Sequence, residues 1–346
     1  MFDAVGITWE PGSGARNTKQ SLQETFGETD RRMVIAYEFA GDSRGDYAAP
    51  AQGDFNGRYR SFAEELVSLG MGDTIITPNH EFNLSWSGKY PNDPQNYADA
   101  YARLVSVMQS VNGANFRFCF APARNRQGIA PEAWPMDSQY WPDGEPAPIV
   151  APSFYDGANG IYPSDPEDIT DEQRERAWTE KHKPQLEMWL DFAKSRGASL
   201  GFREWGLASS AWVNNGGTDN PMFINRFFDW IESHDVVFQT YWNGNIDNPK
   251  HTIWPEDKSL LPEGGQRWRN RVTATLGTDD TTNDTASDTT NDTASDTTND
   301  TTNTNIVGEY NRPARGSLDW HVPLNENFSD IEEDIKALNE RLKKLE

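Results

Sequence analysis

Two short segments combine residue types that could break a glycosidic bond: Pro78-Asn79-His80-Glu81-Phe82-Asn83 and Gly201-Phe202-Arg203-Glu204-Trp205-Gly206. Each ends an apolar, β-like run, and each presents one glutamate. Cleavage with retention needs a carboxylic acid to protonate the leaving oxygen and a carboxylate to attack the anomeric carbon from the opposite face. A single glutamate on a chain is usually a surface residue. Two of them, each at a strand end and flanked by His, Asn, Trp and Gly, form a coherent pair of acid/base and nucleophile.

Strand-like and helix-like segments alternate over residues 1–272, the pattern of a parallel α/β sheet. Strands are expected at Ala4–Trp9, Met33–Phe39, Thr74–Pro78, Phe116–Pro122, Ile149–Phe154, Ser199–Arg203 and Val236–Tyr241, with a poorly marked eighth around Tyr47–Gln52. Helical periodicity runs through Tyr59–Leu69, Tyr97–Val111, Gln185–Ser195 and Pro221–Ser233. The length and order suit a (β/α)8 TIM barrel, in which catalytic residues sit at the C-terminal ends of strands. Glu81 and Glu204 then follow the fourth and seventh strands, counting the weak one.

The sequence of 346 residues carries a formal net charge of −23. That charge argues against a nucleic-acid partner, because a polyanion is repelled. The seven aspartates within residues 277–305 account for only part of it, leaving −16 on the rest. A domain so acidic is expected to be salt-adapted, since screening removes self-repulsion at high ionic strength. Cys119 is the only cysteine and lies in an apolar run, so it is expected to be a buried thiol. No stretch reads as a membrane span or signal peptide. The location expected for such a protein is extracellular or surface-associated.

Residues 273–305 depart from the barrel pattern. The octapeptide Thr-Asn-Asp-Thr-Ala-Ser-Asp-Thr occupies 282–289 and again 290–297, and without large apolar residues it is expected to be a disordered linker. Asn283, Asn291 and Asn299 each begin an Asn-Asp-Thr glycosylation triplet. Residues 306–346 form a C-terminal module ending in a helix, with Ile331, Ile335, Leu338, Leu342 and Leu345 on a short coiled-coil-like seam. That seam could serve homo-oligomerisation or docking on a surface.

His80-Glu81-Phe82-Asn83 with Trp86, together with Glu204-Trp205-Gly206, resembles glycoside hydrolase family 26 and, more broadly, the clan A (β/α)8 glycosidases. The resemblance covers about 240 residues and is specific mainly at the two glutamates. It implies Glu81 as general acid/base and Glu204 as nucleophile of an endo-acting, β-mannanase-like enzyme needing neither metal nor cofactor. It further implies that Tyr155 donates to Glu204 and that Trp242 forms an aromatic platform beneath the cleaved sugar. His80, Asn83, Trp86 and Trp205 are the remaining candidates for lining the sugar site. Glu81 is expected to have its pKa raised by the charge of Glu204. Thr77-Pro78-Asn79 and Arg203 depart from the family pattern, which bears on the mannan preference. A glycan-binding adhesin with little turnover is the alternative. A metal-dependent hydrolase built on His80 and Glu81 lacks a second histidine at ligand spacing.

Overall fold

The computed structural model describes residues 4–9, 32–40, 45–84, 88–124, 140–142, 147–163, 169–209, 215–243, 251–254 and 256–276. Residues 273–276 of the expected linker are described and continue a helix that ends at Leu276, while the rest of that linker, the C-terminal module and Trp86 lie outside the described residues. The chain divides into two units, Met1–Trp268 and Arg269–Glu346, and the site belongs to the first.

Among the described strands every pairing is parallel. β1 (Ala4–Trp9) pairs with β2 (Arg32–Tyr37), β2 with β3 (Ile75–Pro78), and β3 with β4 (Arg117–Phe120). β4 continues to β5 (Ile149–Val150), which meets β7 (Leu200–Gly206); β7 also holds β6 (Ser153–Tyr155) and β8 (Val236–Tyr241). β8 returns beside β1, so the sheet curls on itself. Helices connect the strands, and the fold is that of a (β/α)8 barrel.

The expected strand Ile149–Phe154 appears as two pieces because Pro152 has no N–H for the ladder. The pieces form one stave, still tied to β4 by Ala151 N to Phe120 O at 2.8 Å and to the following residues by Ser153 N to Pro122 O at 3.0 Å.

The weak strand expected at Tyr47–Gln52 is instead a helix, α1 (Ala48–Gln52). Asp46 Oδ1 accepts from Ala48 N at 3.0 Å, Pro50 sits in the first turn where its missing N–H costs nothing, and Gly53 at φ 99° ends the helix. Glu81 therefore follows the third described strand rather than a fourth.

The four expected helices are present as α2 (Asn56–Ser68), α3 (Pro94–Gln109), α5 (Lys183–Ser195) and α6 (Pro221–Glu232), and α4 (Asp171–Ala177), a π turn (Trp178–His182) and α7 (Pro262–Leu276) join them without having been expected. Asp93 caps α3 through Gln95 N at 2.9 Å, and Asn220 caps α6 through Phe223 N at 3.1 Å, each ahead of a proline. Inside the sheet, Val34, Ile75, Cys119, Ala121, Ile149, Ala151 and Phe238 form one buried cluster. Cys119 is enclosed there, and burial pushes its thiol up to about 12, far from a nucleophilic state. No helix among the described residues is long and apolar enough to cross a membrane.

Candidate active site

The loop after β3 carries the first carboxylate in a constrained backbone. Asn79 and Glu81 both have positive φ, 43° and 56°, an unfavourable region for residues with a Cβ. The surroundings hold them there. Asn79 N donates to Tyr37 O on one neighbouring strand at 3.0 Å, and Glu81 N donates to Ala121 O beyond the other at 2.9 Å. The Asn79 side chain accepts from Phe39 N at 3.0 Å and donates to Tyr47 Oη at 2.7 Å. Such a turn presents the Glu81 carboxyl to the barrel mouth.

The second carboxylate is set by an irregularity in β7. Phe202 pairs with Gln239 and Trp205 with Tyr241, so β7 advances one residue more than β8 between these pairs. Such a bulge re-aims side chains. Phe202 and Trp205 both pack against Phe227 of α6, with ring centroids 5.0 and 4.1 Å away. The two residues between them, Arg203 and Glu204, are left on the barrel side. Thr240 Oγ1 donates to the Arg203 carbonyl and pins the bulge.

The neighbouring β6 supplies the rest. Ser153 lies in register with Glu204 and Tyr155 with Gly206, while Phe154 between them turns outward to Phe202 and Phe227. Tyr155 Oη donates to Glu204 Oε1. His80 Nε2 lies 2.8 Å from Ser153 Oγ, and His80 Nδ1 lies 3.7 Å from Glu204 Oε2. The Ser153 hydroxyl also lowers the pKa of Glu81. His80, Glu81 and Glu204 each bring one nitrogen or carboxylate oxygen within 4.8 Å of the others.

The electrostatics follow from enclosure. Burial is the main cause raising Glu81, opposed by the Ser153 hydroxyl and by the positive charges of Lys89 and Arg203. This corrects the expectation that the charge of Glu204 is what lifts it. Burial and then the charge of Glu81 push Glu204 up to about 7, against the pull of Arg203, the Tyr155 hydroxyl and Lys89. The two carboxyls are close enough to be coupled, and both are held above the ordinary carboxyl range.

Burial holds His80 well below its ordinary value, reinforced by Arg203 and Lys89, so His80 is a neutral imidazole beside Glu204 rather than its ion-pair partner. Lys89 is itself tied to Glu38 at 2.6 Å and to the His80 carbonyl at 3.3 Å.

Seven of the eight expected site residues are among the described ones, with different outcomes. Glu81, Glu204, His80 and Tyr155 converge. Trp242 follows β8 and is 37% exposed, as a platform for a flat ligand requires.

Trp205 and Asn83 do not serve as expected, and both are corrected here. Trp205 is fully buried, stacked on Phe227, with its indole N–H donating to Gln239 Oε1, because the bulge turns it to the helices. Asn83 is also fully buried and clamps Ala123, donating to its carbonyl at 3.1 Å and accepting from its N–H at 2.7 Å.

Sequence reasoning passed over Ser153 and Lys89, and it treated Arg203 only as a departure from a pattern. Ser153 had one available signal, its place two residues before Tyr155 on the same face of a strand. The buried group behind Tyr155 was also missed. Arg124 donates to the carbonyls of Tyr155 and Gly157, and Asp156 accepts from Tyr162 Oη at 2.9 Å and Asn220 Nδ2 at 2.7 Å and meets His182 Nε2 at 2.9 Å.

No protein-family model matches this sequence, and no curated protein matches it. Among solved structures, it is similar to a GH26 beta-mannanase from Bacteroides ovatus at 10% identity, over 78% of this chain and 79% of that one, with a TM-score of 0.50. It is also similar to a GH5-4 broad specificity endoglucanase from Clostridium cellulovorans at 11% identity, over 78% and 82% of the two chains, with a TM-score of 0.50. At these identities the likeness is one of fold, and it places this chain among (β/α)8 barrels.

Proposed function

We propose that the protein is a retaining, endo-acting glycoside hydrolase that cleaves a β-linked polysaccharide, with Glu204 as nucleophile and Glu81 as acid/base. The observation that carries this reading is the approach of the two carboxylates, whose facing oxygens lie within 4.8 Å. Retaining enzymes hold the pair about 5–5.5 Å apart, whereas inverting ones leave roughly 6.5–9.5 Å for a water.

In the first step Glu204 attacks the anomeric carbon while Glu81 gives its proton to the departing oxygen. The glycosyl–Glu204 ester forms and the bond to the leaving sugar breaks. In the second step ionised Glu81 takes a proton from water, which attacks the same carbon and frees Glu204. Tyr155 keeps the attacking oxygen in place and favours its ionised form. Arg203 is a buried positive charge close enough to act on both carboxyls.

A β-mannan is the first substrate to test, supported by the motif at Glu81 and by the mannanase among the fold neighbours. The endoglucanase neighbour makes β-glucan the second. The net charge of −23 supports work at high salt, and a polymeric substrate supports a location outside the cell or on its surface.

Glu204→Ala should lose turnover on an activated aryl glycoside, and azide should rescue it with an inverted glycosyl azide as product. Unchanged hydrolysis by that variant ends the nucleophile assignment. Loss of activity in EDTA, restored by a divalent metal, would favour the metal-dependent alternative at His80, Glu81 and Glu204.

A further inference from the structure

We propose that Arg124 is a positioning residue of this site: its guanidinium clamps the strand end that carries Tyr155 to the segment that holds the Glu81 loop, and so keeps the Tyr155 hydroxyl on Glu204. Its effect on turnover rests on the glycosidase reading above, whereas the clamp itself rests on geometry alone.

The segment 121–124 touches both halves of the site. On one side Ala121 O accepts from Glu81 N at 2.9 Å, and the Asn83 side chain grips Ala123 through its N–H at 2.7 Å and its carbonyl at 3.1 Å. On the other side Ala123 bridges Ser153 in parallel, Pro122 O accepts from Ser153 N at 3.0 Å, and Arg124 reaches the end of β6. Its Nη1 donates to the Tyr155 carbonyl and its Nη2 to that of Gly157. The two carbonyls flank a three-residue turn, closed by Gly157 N on Tyr155 O at 2.8 Å. A planar guanidinium offers a fixed fork of donors and suits such a pair of acceptors, whereas an ammonium is a point donor.

Other groups hold that fork in place. Nη1 also donates to His182 Nδ1 at 3.2 Å. Arginine cannot accept, so Nδ1 is the acceptor nitrogen of the imidazole, and Nε2 carries the hydrogen that it gives to Asp156 Oδ1 at 2.9 Å. Asp156 is fully buried and is held in turn by Tyr162 and Asn220. The guanidinium carbon sits 4.7 Å from the centre of the Phe154 ring, a cation–π contact on the residue just before Tyr155. His182 closes the π turn, a helix irregularity that often occurs at functional sites.

A guanidinium that served only the core could take acceptors anywhere. This one takes the carbonyls of Tyr155 and of the residue two further on, from a segment anchored beside the acid/base. Asp156 N donates to Gly206 O at 3.0 Å, so the same turn is also tied to the end of β7, beyond Glu204. The Tyr155 ring packs on His251 at 4.7 Å, and its hydroxyl meets Glu204. Losing the fork frees the end of β6, and an error of about 1 Å at a group that orients the nucleophile is enough to cost on the order of 100-fold in rate.

The test uses the full chain with Arg124→Lys, which keeps the charge and loses the fork, and Arg124→Gln as a second variant. Both should lower kcat on an aryl glycoside by about 10- to 100-fold and leave KM within about twofold. A double-mutant cycle with Tyr155→Phe separates positioning from a general structural role. Once the phenol hydroxyl is gone, adding Arg124→Lys should cost no more than about twofold in kcat. Additive losses overturn the proposal, because Arg124 would then act independently of Tyr155. Native kcat in both variants overturns it as well. So does unfolding of both, seen by circular dichroism, because the guanidinium would then serve the fold.

A second readout needs no turnover. In protein labelled with 13Cζ-tyrosine, the Tyr155 resonance is assigned by difference with Tyr155→Phe. It should shift in both Arg124 variants as the bond to Glu204 loosens, and an unmoved resonance overturns the clamp. A shifted resonance alongside full hydrolysis by Glu204→Ala would remove the functional reading and leave the clamp standing.

Discussion

Replacing Tyr155 with phenylalanine removes one hydroxyl and leaves the ring in place, which isolates the hydrogen bond to Glu204 Oε1. A hydrogen bond to a charged group contributes about 1.5–3 kcal/mol. At 1.36 kcal/mol per pKa unit, its loss should raise the nucleophile by roughly 1–2 units. Glu204 already titrates at about 7, so in the variant it should titrate at roughly 8–9.

The nucleophile works only when ionised, and at pH 7 about half is ionised in the native enzyme against roughly 1–10% in the variant. The expected loss in kcat/KM at pH 7 is therefore about 5- to 50-fold, shrinking as the pH rises. The assay is a kcat/KM profile from pH 5 to 9 on an aryl glycoside. A uniform drop with the acidic limb unmoved would refute the reasoning, because it would mean Tyr155 shapes the site without stabilising the carboxylate.

Further outcomes follow from the same contacts. Because the folded pKa of Glu204 is raised, its ionised form costs stability. That cost is absent below the ordinary carboxyl range, grows as the pH climbs toward 7 and is complete above it. Moving a carboxyl from 4.5 to about 7 is worth on the order of 3 kcal/mol, so Glu204→Gln should melt several degrees higher at pH 8 and scarcely differ at pH 4. Equal shifts at both pH values in a melting series would contradict this.

Trp205→Ala should lose about 3–5 kcal/mol in denaturant titrations, as a fully buried ring does, whereas Trp242→Ala should leave stability nearly intact and raise KM for polysaccharide. Asn79→Ala should lower kcat by disturbing the Glu81 turn and should destabilise the fold by about 1–3 kcal/mol, since the buried Phe39 N–H loses its acceptor. Finally, the melting temperature should rise in molar salt if self-repulsion of the net charge of −23 limits stability.

The barrel was legible in the sequence wherever a strand was long and apolar, as at Ala4–Trp9 and Val236–Tyr241, or a helix carried a full apolar face, as in α6. Tyr47–Gln52, expected only as a poorly marked strand, is a helix. The outcome was decided by local capping at Asp46 and Gly53. The two glutamates were legible because their neighbours and their strand-end positions were unusual.

What sequence alone did not carry was the β7 bulge. Without it, alternation puts Arg203 and Trp205 on one face and Glu204 on the other, and cannot bring Arg203 and Glu204 together. With it, Trp205 belongs to the helix-facing core, and Arg203 joins the carboxyls. Ser153 escaped notice for a similar reason: a small hydroxyl residue after a proline becomes informative only when His80 and Glu81 are seen on either side of it.

The central claim is that Glu81 and Glu204 act as a retaining pair. The most direct test is to follow by 1H NMR the anomer first released at the new reducing end when the enzyme cleaves β-mannan or, failing that, β-glucan. Initial appearance of the β-anomer, followed by slow mutarotation, is the predicted result. Initial release of the α-anomer would mean that water attacks directly, and would contradict the assignment of Glu204 as nucleophile.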